Sequence, residues 1–230
     1  MILLTLSMPW QFAAGLFPLF LLLLCLMAAR VRADLKLSLY PSVTVNQDVT
    51  ESAVCWLFAT AATLIVLSPL SARLPWFFFI LFLFRLTLTD ALTGLLPRSV
   101  TVKCLMAGLM ASLWQPLTDA SVSALSALSA LLSHIVAATT MLVITGGLRY
   151  VSLLKGGREN PAMGDVWMSG AVCAWLGFSG FHAVGIGVML FAMWQLQSRR
   201  ASEGGQLGPW LAAGAVMVTL FQLYQPLVTW

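Results

Sequence analysis

The chain has 230 residues, of which 60% are hydrophobic and only 9% charged; the formal net charge is +4 and the mean hydropathy +0.93. That balance excludes a soluble globular domain and points to an all-α polytopic membrane protein, nearly all of it embedded in a lipid bilayer. The basic residues are scattered at segment ends instead of forming a patch, which excludes nucleic acid as a partner and makes them reporters of topology.

Apolar runs between charges predict about seven transmembrane helices, within a range of six to eight: 8–29, 53–72, 74–89, 99–116, 121–147, 168–194 and 207–228. The first has no Lys or Arg ahead of it, and its positive charges follow the apolar run, so it is expected to stay as an anchor. Arg30, Arg32 and Lys36 place its C-terminal end in the cytoplasm. After it comes the one long polar stretch, 30–52, which holds Asp34, Asp48 and Glu51 and no cysteine.

The third span is short and contains Arg85, which must snorkel or face the bundle interior. The fifth carries Ser121, Ser123, Ser126, Ser129 and Ser133 at spacings of three and four, a pattern for a tightly packed interior helix. No partner base for a serine nucleophile is visible, because the adjacent His134 points away from Ser133 on a helix. The sixth span contains Gly177, Gly180, Gly185 and Gly187, which can bend it or let another helix approach.

Threading seven spans puts nine basic residues on the cytoplasmic side: Arg30, Arg32, Lys36, Arg85, Arg98, Lys103, Arg149, Lys155 and Arg158. Arg73, Arg199 and Arg200 fall on the other side, and a missed or re-entrant segment within 168–194 would return the Arg199–Arg200 pair to the majority.

Cys25, Cys55, Cys104 and Cys173 are widely spaced within apolar segments and read as packing residues. His134 and His182 have no second ligand at metal spacing, so neither a metal nor a cofactor is expected.

Among the eight acids, Asp90 and Asp165 stand at junctions between apolar helix and loop, where a carboxylate needs a reason. Taken singly, each reads as the cap of a helix N-terminus. Taken together, both fall on the cytoplasmic side, where helix packing can bring them to one shared water. Two such carboxyls are the simplest metal-free machinery for amide hydrolysis, one taking a proton from water while the other supports the carbonyl oxygen. They titrate as a coupled pair, so acid and base roles are not assigned individually.

The segment "TDALTGLLPRSVT", 89–101, resembles the first active-site segment of the type IV prepilin peptidases, in which an Asp precedes the Pro of a Leu-Pro or Ile-Pro pair by seven positions; Asp90, Leu96 and Pro97 match. The segment "AMGDVWM", 162–168, resembles their Gly-x-Gly-Asp segment, usually followed by Val-Lys; Gly164, Asp165 and Val166 match. Ala162 stands where the first Gly is expected, and Trp167 where Lys is common.

The resemblance implies a short-form membrane aspartic endopeptidase, with Asp90 and Asp165 as catalytic residues and Leu96, Pro97 and Gly164 as motif support. On that reading 1–52 holds the first helix and a cytoplasmic polar stretch, and 53–230 the peptidase domain. The paired C-x-x-C motifs that accompany N-methylation in longer relatives have no counterpart here. The implied substrate is a type IV prepilin or pseudopilin, cut at the cytoplasmic face of the bacterial inner membrane.

Three rivals remain. Presenilin-class proteases also use Gly-x-Gly-Asp, but the Asp-x6-Pro segment disfavours them. A small proton-coupled transporter would need acids near mid-span or an internal repeat. An inactive assembly partner of a pilus or secretion system would follow if the Ala162 and Trp167 departures abolish the chemistry.

Overall fold

In the computed structural model the chain is all-helical, as expected, over the described residues 11–37, 49–68, 73–118, 124–155, 161–198 and 206–228. They form eight helices: α1 Gln11–Leu37, α2 Val49–Leu67, α3 Arg73–Thr93, α4 Arg98–Thr118, α5 Ala124–Leu154, α6 Met163–Leu176, α7 Ser179–Ser198 and α8 Gly208–Val228. Four stretches are long and apolar enough to cross a membrane: Gln11–Leu35, Leu74–Thr93, Leu125–Leu154 and Ser179–Gln197. Asp48, Asp119, Glu159, Glu203, Ser121, Ser123, Arg158, Arg199 and Arg200 lie outside the described residues.

The helices group into two compact units, Met1–Gly94 with Thr219–Trp230, and Leu95–Val218. In the first unit, α3 supplies a core of Phe79, Ile80, Leu83 and Phe84, all fully buried. Phe84 meets Phe58 of α2 edge-on at 5.5 Å, and Phe77 meets Phe20 of α1 at 5.3 Å. Such aromatic pairs add attraction beyond the area they bury. The Tyr224 hydroxyl of α8 donates to the Leu64 carbonyl at 2.8 Å. Threonines inside these apolar helices satisfy themselves locally, Thr63 donating to Ala59 and Thr89 to Arg85.

One expectation for this unit is corrected. The first apolar run does not end its helix at 29, because α1 continues through Leu37 and carries Asp34 on it. Of the two alternatives for Arg85, the structure takes the exposed one: its side chain is exposed and its guanidinium lies 3.9 Å from the Asp34 carboxylate.

The second unit is built around α6, whose residues from Met168 to Leu176 are all buried. At 14 residues this helix is about 21 Å long, too short to cross a hydrocarbon core of about 30 Å. The predicted span 168–194 is therefore two helices, not one. Gly177 makes the break, with φ of +58° at the C-terminal cap of α6. Only glycine adopts that conformation routinely.

Small residues let neighbours close on α6. A Cβ at Gly108 of α4 would fall 2.6 Å from the Trp175 ring, and one at Gly180 would fall 2.6 Å from the Cys173 backbone. The Trp175 indole donates to the Cys104 carbonyl at 2.9 Å. His134 of α5 meets the Ala174 carbonyl through Nδ1 at 2.9 Å. A carbonyl only accepts, so Nδ1 carries the proton. Ala174 lies in the last turn of α6, whose carbonyls have no partner within the helix. Further along, Gly187 packs on the Trp210–Leu211 backbone and Gly214 on the Ala183 carbonyl, while Gly185 faces open space.

The serine face of α5 is not an interior seam. Ser126 and Ser129 are exposed, and Ser129 and Ser133 donate to the carbonyls of Ser126 and Ala130 on their own helix. Ala127, Ala137, Ala138 and Met141 are the buried positions of that helix. Of the cysteines, Cys55, Cys104 and Cys173 are buried as expected, but Cys25 is exposed.

Candidate active site

The segment around Asp90 is a helix end followed by a helix start. Gly94, with φ of +65°, returns its N–H to the Asp90 carbonyl at 2.7 Å, which closes α3 in a left-handed cap. Leu96 precedes a proline and is thereby biased to extended backbone. The Pro97 carbonyl then accepts the first bonds of α4, from Val100 at 3.0 Å and Thr101 at 3.2 Å.

Asp90 thus sits in the last turn of α3 and is 4% exposed. The expectation that it caps a helix N-terminus is corrected, because the apolar run continues past 89 to Thr93. A carboxyl in a last turn faces the negative end of the helix dipole and gains nothing from it.

Asp165 occupies the opposite kind of position. Ala162 is the N-cap of α6, and Asp165, three residues on, lies in the first turn. There its carboxylate accepts the Ala162 N–H, which is half of a capping box. The Ala162 methyl cannot reciprocate, and the helix start has no side-chain cap. Asp165 precedes the buried run and lies outside the four candidate spans. Burial pushes its carboxyl up from 3.8 to about 6, with the Ala162 N–H holding back part of the rise. Near neutral pH such a group exchanges protons with little driving force in either direction, as general acid–base work requires.

The two motif segments touch. A Cβ at Gly164 would stand 2.5 Å from the Cβ of Leu96, so the glycine is needed for close approach. Two residues after Leu96 and three after Gly164, the Arg98 guanidinium stands 5.2 Å from the centre of the Trp167 ring, a cation–π pair. Leu96, Pro97, Gly164 and Asp165 belong to the second unit, and Asp90 lies four residues before the end of the first.

The departures from the motif now have a physical reading. Ala162 has φ of −65° and ψ of 155°, extended backbone that any residue adopts, so glycine is not required there. Trp167 takes its cation from Arg98 across the helix pair. Sequence reasoning missed that pairing and the His134–Ala174 bond, since each joins residues distant in the chain. Among the described residues no group of His, Cys, Asp or Glu could hold a metal ion.

No family model matches the chain, and no solved structure matches it. Two curated proteins do match, both named prepilin leader peptidase/N-methyltransferase, from Burkholderia pseudomallei strains 1026b and K96243. Each is 28% identical over 168 residues, which cover 70% of this chain and 50% of the relative. The chain spans about half the length of the curated relatives it matches. Over most of its own length, then, this helical membrane protein is similar to the prepilin leader peptidase/N-methyltransferases.

Proposed function

We propose that the protein is a membrane-embedded aspartic endopeptidase that removes the leader of type IV prepilins or pseudopilins, with Asp90 and Asp165 as its catalytic pair. The observation that carries this reading is the Leu96–Gly164 contact. It joins the residue six positions after one acid to the residue directly before the other. The likeness to curated prepilin leader peptidases supports the substrate class.

The chemistry needs no metal. The ionised carboxyl of the pair takes a proton from a water molecule, and the resulting hydroxide adds to the scissile carbonyl carbon. The protonated carboxyl donates a hydrogen bond to the carbonyl oxygen as charge builds there. Collapse of the tetrahedral intermediate breaks the C–N bond, and the leaving amine takes up a proton from the pair. A group held near 6 serves both halves of that cycle.

The reading places the site at the cytoplasmic face of the bacterial inner membrane, with 53–230 as the peptidase region. The break at Gly177 supports this orientation. It adds a segment within 168–194, and a re-entrant α6–α7 pair returns Arg199 and Arg200 to the side of the other nine basic residues. The N-methyltransferase activity named for the relatives is not part of the proposal.

The test is to co-express the protein with the prepilins of its own genome and sequence the N-termini of the products. A pilin trimmed at its leader only when the protein is present supports the reading. Uncut prepilin alongside membrane-inserted protein contradicts it. Trimming should survive a chelator and the Ser133→Ala substitution, which separates carboxylate from metal or serine chemistry.

A further inference from the structure

Beside the start of α6 runs a groove of about 380 Å³ that the proteolytic chemistry does not use. Leu142, Gly146 and Leu153 of α5 and Met163 and Val166 of α6 line its apolar part, together with Arg149, Tyr150 and Trp167. A Cβ at Gly146 would meet nothing within 4 Å, so the groove is open over that glycine. Its volume lies near the low end of the roughly 300–1,000 Å³ typical of small-molecule sites, which suits one flexible chain and not a folded partner.

Among the described residues the charge near the groove is mostly basic. Among the described residues of the second unit, Asp165 is the one acid, against Arg98, Lys103, Arg149 and Lys155. Arg98 lies over the Trp167 ring, Arg149 lines the groove itself and Lys155 directly follows α5. Trp and Tyr are the side chains that settle at the headgroup level of a bilayer, apolar ring inward and polar atom outward. Tyr150 is well exposed at 63%. An apolar slot with a guanidinium in its wall and the exposed Tyr150 ring beside it matches a molecule with an anionic head and a hydrocarbon tail. Basic pockets between membrane helices hold such molecules.

We infer that this groove is a binding site for an anionic phospholipid, with an acyl chain lying over Gly146 and the phosphate at Arg149. The site is independent of the proteolytic reading, and a protein that cut no prepilin would still have it.

The experiment uses delipidated full-length protein in mild detergent, titrated with phosphatidylglycerol or phosphatidylcholine carrying brominated acyl chains. The readout is the part of tryptophan quenching that disappears in Trp167→Phe. Phosphatidylglycerol should reach half-quenching at a roughly five-fold lower concentration, about the preference one basic residue supplies at a membrane surface. Arg149→Gln should equalise the two lipids, and Arg149→Lys should keep the preference.

Gly146→Leu should reduce the Trp167 signal from both lipids by filling the groove. That variant is expected to fold, because its Cβ meets nothing and leucine is a better helix former than glycine. Glycerol phosphate without chains should not compete. Equal quenching by both lipids in the wild type, a preference unchanged in Arg149→Gln, or a Trp167 signal unchanged in Gly146→Leu would each overturn the assignment.

Discussion

Gly164 and Leu96 meet so closely that a Cβ on the glycine would lie 2.5 Å from the Cβ of the leucine. The atom it would strike is fixed to the backbone, so no rotamer of Leu96 relieves the clash. Gly164→Ala should therefore push the two motif segments apart, at an overpacking cost of about 1–3 kcal/mol. Leader trimming should fall sharply while the protein still inserts. Adding Leu96→Ala should not restore it, because the offending Cβ remains, whereas adding Leu96→Gly should. Rescue by Leu96→Ala, read as trimming rate in membranes, would refute this account of the contact.

The Asp165 carboxyl gives a pH signature. Its pKa is raised on folding from 3.8 to about 6, so the folded state holds this proton more tightly than the unfolded chain does. The group's favourable contribution is complete below 3.8 and is lost as the pH rises to about 6. Asp165→Asn cannot ionise and should gain stability relative to wild type over that interval, by about 1–3 kcal/mol. Thermal unfolding in detergent at about pH 4 and about pH 7.5 reads the difference. An equal offset between the two proteins at both pH values would contradict it.

His134 ties α5 to the end of α6, donating Nδ1–H to the Ala174 carbonyl beside the Gly177 break. His134→Ala removes the donor and leaves the carbonyl exposed to an apolar interior. The expected cost is about 1 kcal/mol, or roughly 2–4 °C in Tm for a chain of this size. His134→Gln keeps a donor within reach and should recover part of the loss. A Tm for His134→Ala equal to wild type would show that the bond carries no net stability.

The helices were legible in the sequence, because unbroken apolar runs about 20 residues long have no other stable form in lipid. Their ends were less so. Gly94 and Pro97 together mark a helix end and restart, and they indicated that Asp90 belongs to a last turn; reading it as an N-cap overlooked that signal. Asp165 as a first-turn acid was legible, from its place shortly after Pro161 and ahead of the apolar run. The break at Gly177 was not, since a glycine in an apolar run is compatible with a bend, a close contact or neither. Gly177, Gly180 and Gly185 show all three outcomes within nine residues. The serine face of α5 misled because a hydroxyl on a helix bonds its own backbone as readily as a neighbour. Cross-helix pairs such as Arg98 with Trp167 depend on register between helices, which one sequence does not encode in any local pattern.

The central claim is that two carboxyls distant in the chain act as one catalytic pair, and the most direct measurement is leader removal by vesicles carrying Asp90→Asn or Asp165→Asn. An amide cannot accept the proton from water, so each variant alone should cut at least about 100-fold more slowly than wild type at equal membrane abundance. Cleavage at the wild-type rate by either variant would remove that residue from the chemistry and, with it, the paired-carboxyl mechanism.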